Sequence, residues 1–416
     1  LPTRRQRQMC IRDSNKTVCV VGMGYIGLPT AALLANRGYK VHGVDVNKHA
    51  VATINEGKIH IVEPELDTFV HSAVNSGMLS AHLEPAEADV FLVAVPTPFH
   101  HDQPNEVTNS PVPNLDYVKS ATKAIAPFVK PGNLVLLEST SPVGTTEMMA
   151  EELQAEGVDL SKIHVAHSPE RVLPGHIMRE LIENDRVVGG INEASTKAAA
   201  EFYRTFVEGE VLETTSKTAE MAKLTENAFR DVNIAFANEL SMLADDMNID
   251  VYELIKLANH HPRVNILQPG CGVGGHCISV DPWFIVNSAN GKAKMVEQAR
   301  RTNDYKSEWV VEKVKNAVLE FEKENGRKPQ VACMGLAFKP DIDDLRESPA
   351  LYITQALNET NDVVAVEPNI QSFDGLKLVS EEQADNADIL VYLVAHSQFK
   401  AHSKSSKTLD FAGLFK

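Results

Sequence analysis

Val18-Cys19-Val20-Val21-Gly22-Met23-Gly24-Tyr25-Ile26-Gly27 is a short apolar run, then glycines spaced Gly-x-Gly-x-x-Gly, then a helix-forming stretch that reaches Arg37 before Gly38. A strand that turns on glycine into a helix brings the first backbone N–H groups of that helix to the strand's end, where a pyrophosphate can sit on them. The glycine spacing is weak by itself, and its context strengthens it. A second strand, Val41 to Val44, ends on Asp45, 18 residues after Gly27. A carboxylate there hydrogen-bonds an adenosine ribose and repels a 2′-phosphate, so the turn and Asp45 read as an NAD site, with Lys48 as the one nearby feature that would suit NADP.

Working outward, apolar strands recur at Val90 to Val95, Leu134 to Leu137 and Ile163 to Ala166, separated by helical stretches. That alternation is the pattern of a doubly wound parallel sheet. Phe99 to Pro113 is polar and proline-rich and reads as an exposed loop. A long helix is expected over Thr218 to Met247, where Met221, Leu224, Ala228, Val232, Ala235, Phe236, Leu240 and Leu243 follow the 3.6-residue period. Its apolar residues spread wider than one domain's stripe, which predicts a homodimer surface. Asp250 and Glu253 suggest a capping box for a following helix that reaches about Asn259.

A second α/β unit opens near Gln330, with strands at Val331 to Leu336, Val363 to Val366 and Ile389 to Val394 and no second Gly-x-Gly-x-x-Gly. It should bind something other than a dinucleotide. The expected fold class is therefore α/β, with two Rossmann-like doubly wound domains joined by a central helical domain and its long connecting helix. The boundaries read as 17–205, 206–305 and 306–416. Residues 1–16, with Arg4, Arg5, Arg7 and Arg12 and no periodicity, read as a disordered or non-native extension.

The formal net charge of −16 argues against a nucleic-acid partner, which calls for a basic field. No apolar run approaches membrane-spanning length and no signal-peptide pattern is seen, so the expected location is cytoplasmic and free of membrane. Five cysteines without regular spacing do not make a disulfide framework, and Cys19 and Cys333 lie in strand-like runs where a buried thiol is expected.

The chemistry concentrates in Gly270-Cys271-Gly272-Val273-Gly274-Gly275-His276-Cys277, with Asp281 four residues on. A thiolate in a dinucleotide enzyme can capture an aldehyde and hold it for a second oxidation. His260, His261, Cys271, His276 and Cys277 are close in sequence but lack the paired ligand spacing of zinc sites, so no metal is expected. Lys223 and Asn227, spaced i, i+4, can project to one point, although the same spacing describes a solvated helix face. Thr140 and Glu170 stand at strand C-terminal ends, where open α/β sheets place ligands. A carboxylate such as Glu170 is otherwise most often a surface group.

Taken together, Val20 to Pro29, Val95-Pro96-Thr97-Pro98, Glu138 to Gly144, Ser168-Pro169-Glu170-Arg171-Val172-Leu173-Pro174-Gly175, Lys223 to Asn227, Gly274 to Cys277 and Phe338-Lys339-Pro340 with Leu345-Arg346-Glu347-Ser348 resemble the UDP-glucose/GDP-mannose dehydrogenase family. The resemblance runs from about residue 17 to 400 in family order. It implies that Cys277 is the nucleophile, with Lys223, Asn227 and Asp281 around it and Thr140 and Glu170 reaching in from the cofactor domain. Glu170 is then the candidate base for a hydrolytic water. It further implies NAD contacts from Gly22, Gly24, Tyr25, Ile26, Gly27, Asp45, Pro96, Thr97, Thr140 and Arg346. The substrate would meet Glu170, Arg171, Val172, Lys223, Asn227, Gly274 and Lys339, and Arg263 would arrive from the other subunit of a homodimer.

His261-Pro262-Arg263-Val264-Asn265-Ile266-Leu267-Gln268-Pro269-Gly270 and Asp281-Pro282-Trp283-Phe284 resemble the branch that oxidises UDP-N-acetyl-D-mannosamine to its uronate for bacterial surface polysaccharides, more than the glucose or N-acetylglucosamine branches. Cys271, where that branch is expected to carry proline, and the long 99–113 segment depart from the pattern. Two other classes compete. A hydroxy-acid dehydrogenase also pairs a dinucleotide domain with a helical Lys/Asn pair, but it oxidises once and without a cysteine. A catalytically silent nucleotide sensor would have no use for Cys277.

Overall fold

The computed structural model describes residues 16–100, 104–105, 108–173 and 175–416. Of the expected extension only Lys16 falls among them, and His101 to Gln103, Glu106, Val107 and Pro174, which belong to segments singled out above, lie outside the described residues. The chain folds as two compact units, the first ending at Leu224 and the second beginning at Thr225.

In the first unit, β1 (Thr17–Val21), β2 (Lys40–Val44), β3 (Leu79–His82) and β4 (Val90–Val93) build one half of the sheet. A two-residue hairpin, β5 (Phe99–His100) with β6 (Val112–Pro113), stands apart from it. β7 (Leu134–Leu137), β8 (His164–His167), β9 (Arg186–Gly190) and β10 (Val211–Thr215) complete an eight-stranded sheet of order β10-β9-β8-β7-β4-β1-β2-β3. Alternate residues feed two apolar layers: Val18 and Val20 of β1 with Leu134 and Leu136 of β7 on one face, Cys19 and Val21 with Val135 and Leu137 on the other. A sheet buried on both faces needs such continuous apolar strands.

Two features differ from the expectation. At one edge β9 runs antiparallel to β8, and β10 follows β9 in parallel. The β8–β9 ladder is only two residues long and uses Gly189 and Gly190, where a Cβ would lie 2.2 Å from the Thr215 carbonyl oxygen or 2.3 Å from the Thr196 nitrogen. The segment 99–113, expected as an exposed loop, instead carries the β5–β6 ladder and buries Thr108 and Ser110. Their hydroxyls bond each other at 2.6 Å, and the Asn105 carboxamide oxygen accepts from the Thr108 N–H, which removes the cost of burying polar side chains.

In the second unit, β11 (Gln330–Met334), β12 (Asp362–Val366), β13 (Ile389–Tyr392) and β14 (Thr408–Asp410) form a parallel sheet of order β12-β11-β13-β14. Strands β11 and β13 stop two residues earlier than their apolar runs, because Gly335, at φ +95°, turns the chain; its Cβ would lie 2.5 Å from the Val394 side chain. The long helix spans Ser216–Asp246, close to its expected range. The Asp250 carboxylate accepts from the Tyr252 and Glu253 N–H groups at the start of the next helix, Val251–Ala258.

A second long helix, Lys294–Asn325, was not expected, and the boundary read at 305/306 falls inside it. Its buried stripe passes through Ala299, Thr302, Asn303, Lys306, Val310 and Val314, so polar residues occupy the middle of what would otherwise be an apolar period. They are buried because they pair. The Arg300 guanidinium donates to Asp231 at 2.7 Å, and Asn303 donates to the same carboxylate at 2.8 Å. Asn238 donates to Asn303 at 2.9 Å and accepts from the Gly270 N–H at 2.9 Å.

Arg300, which also pairs with Asp304, is 2% exposed and Asp231 is 0% exposed, so removing the arginine leaves the buried Asp231 carboxylate without its charge partner. Arg300→Met should destabilise the second unit by about 3–5 kcal/mol. Both tryptophans, Trp283 and Trp309, belong to that unit, so urea unfolding followed by their fluorescence reads the change. A loss under about 1 kcal/mol, the range of an exposed pair, would show that the network does not hold the unit together.

Candidate active site

Gly22 leaves β1 at φ +92°, and a Cβ on it would lie 2.5 Å from the Ala94 carbonyl oxygen. A Cβ on Gly27 would lie 1.7 Å from the Gly22 carbonyl oxygen, so the helix Gly27–Asn36 can start against the turn only with glycine there. Gly24 is the opposite case, with no non-neighbouring atom within 4 Å of the place a Cβ would take. The helix begins with no side-chain cap and no acidic residue in its first turn. Open space beside a helix start that no side chain caps fits the pyrophosphate of NAD.

Asp45 follows β2, half-buried, and its carboxylate accepts from the Met23 N–H at 2.9 Å and the Asn47 N–H at 2.8 Å. It therefore orders the glycine turn as well as standing where a ribose would bind. The loops after β4 and β7 are laced together: the Thr97 hydroxyl donates to the Thr140 carbonyl at 2.6 Å and the Ser139 hydroxyl to the Val95 carbonyl at 2.6 Å. Tyr25 and Pro96 are exposed and Ile26 is half-buried.

Glu170 is not a surface carboxylate. It is 7% exposed and lies 2.8 Å from Arg186, itself 2% exposed, and it also accepts from the Arg171 N–H. Arg186 faces a second buried acid, Glu138, which accepts from the Tyr203 hydroxyl at 2.7 Å and the Thr30 hydroxyl at 3.5 Å. Burial drives the Glu138 carboxyl upward and the Glu170 charge adds to the rise, while the Arg186 guanidinium opposes both. A carboxylate held as Glu170 is has its orientation set by a neutralising partner. Arg186 escaped sequence reading because a lone arginine at a strand start looks like surface charge. Arg171 donates to the Asp185 carbonyl at 3.2 Å, and Val172 beside it is half-buried.

The second unit holds the thiol. Cys277 is exposed, and its carbonyl accepts from the Asp281 N–H at 2.8 Å, one turn before the helix Asp281–Ser288. The Asp281 carboxylate is 3% exposed and accepts from the Asn227 amide at 2.5 Å. Asn227 thus lies on the side of its helix that meets Asp281, and Lys223, half-buried, stands one turn before it. A Cβ on Gly274 would come within 2.5 Å of the Glu347 carbonyl oxygen and 2.7 Å of Phe338, and the Gly275 N–H donates to the Arg346 carbonyl. The glycine run is thereby pressed against the segment that carries Lys339.

Cys271 is a buried thiol of the second unit's core, pushed up to about 12 by burial. Its Sγ reaches the Leu393 carbonyl at 3.4 Å and its own carbonyl accepts from the Ser307 hydroxyl at 2.9 Å. It is a core residue, whereas Cys277 is exposed. Cys19 and Cys333 are fully buried, as expected. Arg263 and Lys339 are exposed, and the Arg346 guanidinium rests on Asp344 at 2.6 Å. The predicted residues thus form two sets, Gly22 to Gly27, Asp45, Thr97, Thr140 and Glu170 in the first unit, and Asn227, Gly274, Cys277 and Asp281 in the second. Among the described residues no three His, Cys, Asp or Glu side chains gather as a metal site, and no helix is long and apolar enough to cross a membrane.

Three consecutive segments match models of one family: residues 16–207 its NAD binding domain, 217–305 its central domain and 332–413 its UDP binding domain. The chain belongs to the UDP-glucose/GDP-mannose dehydrogenase family. It is an NAD-dependent nucleotide-sugar dehydrogenase with the three-domain architecture of that family. It is similar to the UDP-N-acetyl-D-mannosamine dehydrogenase of Campylobacter jejuni, 54% identical over 95% of this chain and 98% of that one. It is also similar to the NDP-N-acetyl-D-galactosaminuronic acid dehydrogenase of Ralstonia nicotianae, 53% identical over 92% of each. Among solved structures, the UDP-D-ManNAc dehydrogenase of Pyrococcus horikoshii is 36% identical, covers 96% of each chain and superposes with a TM-score of 0.85.

Asp45→Ala should weaken NADH binding by about 1.5–3 kcal/mol, the worth of a hydrogen bond to a charged group. Fluorescence titration with NADH reads the change, and competition with NADPH provides the control. Unaltered NADH affinity, or a wild-type preference for NADPH, would remove Asp45 from the ribose site.

Proposed function

We propose that the protein oxidises UDP-N-acetyl-D-mannosamine at C6 to UDP-N-acetyl-D-mannosaminuronate, a four-electron oxidation that supplies an acidic sugar for bacterial surface polysaccharide. The observation that carries the reading is the exposed Cys277 thiol, held one turn before an Asp281 carboxylate that Asn227 orients. NAD, when bound on the Gly22–Gly27 turn, supplies the hydride acceptor. Lys223 stabilises the C6 oxygen as it loses its proton. The Cys277 thiolate adds to the C6 aldehyde, and the resulting thiohemiacetal, once oxidised, is a thioester. Water then breaks the C–S bond, leaving a carboxylate on the sugar and returning the thiol. Asp281 serves the proton transfers, and the Glu170–Arg186 pair favours an orienting role for Glu170 at the water over that of a strong base.

The same reading assigns residues 17–205 to the cofactor, 206–305 to the central domain and 306–416 to the UDP moiety, with Lys339 at the nucleotide and Arg346 at cofactor phosphate. Support for a homodimer comes from the long helix, where Phe229, Phe236 and Leu243, spaced by seven residues, are 71%, 53% and 46% exposed. An apolar row of that kind calls for a partner surface, and a second copy would bring Arg263 to its neighbour's sugar. The resemblance to a galactosaminuronate enzyme at nearly the same identity makes the sugar configuration the point to test.

Purified protein should yield two NADH and one carboxylate for each UDP-N-acetyl-D-mannosamine consumed, counted by absorbance and mass spectrometry. UDP-N-acetylgalactosamine, UDP-N-acetylglucosamine and UDP-glucose should be poorer substrates. One NADH per sugar would contradict the thioester route, and a preference for another sugar would overturn the assignment of substrate. Cys277→Ala should make no uronate.

Mixing inactive Arg263→Ala with inactive Cys277→Ala subunits should restore part of the activity. No recovery despite confirmed subunit exchange would place Arg263 within its own chain's site or outside it.

A further inference from the structure

Both sheets place a carboxylate directly after the second strand of the mononucleotide half, and both use it to hold the turn after the first strand. In the first unit that group is Asp45, half-buried, which accepts from the Met23 N–H on one oxygen and the Asn47 N–H on the other. In the second unit it is Glu367, and its side chain is fully buried. One oxygen accepts from the Leu336 N–H at 2.8 Å, the Ala337 N–H at 3.0 Å and His396 Nε2 at 3.1 Å. The other accepts from the Asn369 backbone and side chain at 3.1 and 3.2 Å. With five donors on it and no exposed edge, Glu367 has no face left for a ribose. It holds protein backbone instead.

His396 extends the hold. Its side chain is 1% exposed, and its Nδ1 accepts from the Asp341 N–H at 2.9 Å, which assigns the ring proton to the Nε2 that donates to Glu367. Asp341, at a left-handed φ of +63°, accepts through its carboxylate from the Ser397 N–H at 2.8 Å and hydroxyl at 2.6 Å. The exposed Lys339 therefore sits midway between two backbone anchors, Ala337 on Glu367 and Asp341 on His396. No glycine turn leads straight into a helix here; residues 336–347 run as loop and turn before the helix Pro349–Asn358.

We propose that Glu367 and His396 are positioning residues for the UDP moiety, fixing the backbone of residues 336–341 so that Lys339 is presented to the nucleotide in one place. This rests on the reading of Lys339 as a UDP contact. A lysine has a long flexible stem, so its binding of phosphate gains most when the backbone beneath it is already ordered. Catalysis does not pass through the pair. Its loss is expected in nucleotide affinity.

The test uses the full chain, with UDP as the probe in titration calorimetry and steady-state rates alongside. His396→Ala should weaken UDP binding and raise the sugar-nucleotide KM by about tenfold, the equivalent of one lost hydrogen bond to a charged group. The kcat and the NADH affinity should stay within about twofold, and His396→Gln, whose amide keeps an acceptor and a donor, should recover most of the loss. If Lys339→Ala leaves UDP affinity unchanged, the Lys339 reading fails. If Lys339→Ala weakens UDP binding while His396→Ala, folded by circular dichroism, does not, positioning fails.

Should His396→Ala not fold, Asp341→Ala at the exposed end of the same chain of bonds decides. Its cost in UDP affinity should vanish in the Lys339→Ala background, because it acts through Lys339. Additive costs, or none, would overturn the proposal.

Discussion

The buried pair of Asp231 and Arg300 is the contact on which the second unit depends. Two charges taken out of water are costly unless each is paired and hydrogen-bonded. Here the cost is offset through a chain of bonds that does structural work: Asp231 orders Asn303, Asn303 orders Asn238, and Asn238 takes the N–H of Gly270, where the glycine run that ends in Cys277 begins. The two long helices are thereby held in one register, and the loop with the thiol starts from a fixed point. An apolar seam would bury the same area without specifying which residues face each other. The polar one does specify them.

The same economy of backbone bonds appears in the first unit. Glu220, 1% exposed near the start of the long helix, accepts from the Gly144 and Thr146 N–H groups and the Thr146 hydroxyl, capping the helix Thr145–Ala155. Glu63 does likewise for Gly175 and Ile177 at the head of the helix Ile177–Glu183. In each case a carboxylate distant in sequence takes the place of a local cap, so loops near the cofactor turn are tied to the scaffold. The helix start at Gly27 has no side-chain cap, and open space lies beside Gly24 before it.

Asp45 and Glu367 show how one structural device serves two outcomes. A half-buried carboxylate with one N–H on each oxygen keeps an edge open to solvent, whereas a buried one that takes five donors becomes part of the frame. Full burial and the added donor His396 make the difference. This is why the absence of a second glycine fingerprint was informative: without it the chain after the first strand of the second sheet runs as loop and turn over 336–347 before the next helix.

Much of this protein is determined by short-range physics that a sequence displays. Apolar runs that alternate with helices dictate buried parallel strands, and the first and third glycines of the fingerprint, Gly22 and Gly27, dictate a turn that a side chain at either would block. What escaped are groups whose meaning lies in a partner far along the chain. Arg186 gains its sense from Glu170 and Glu138. The helix Lys294–Asn325 stayed hidden because Asn303 and Lys306 look solvent-facing until Asp231, Asn238 and Ser241 surround them. Local pattern determines where strands, turns and reactive groups fall, because backbone geometry is a local constraint. Tertiary structure decides which polar groups are buried, because burial is tolerable only when a partner closes the hydrogen bond, and that partner is chosen by the fold.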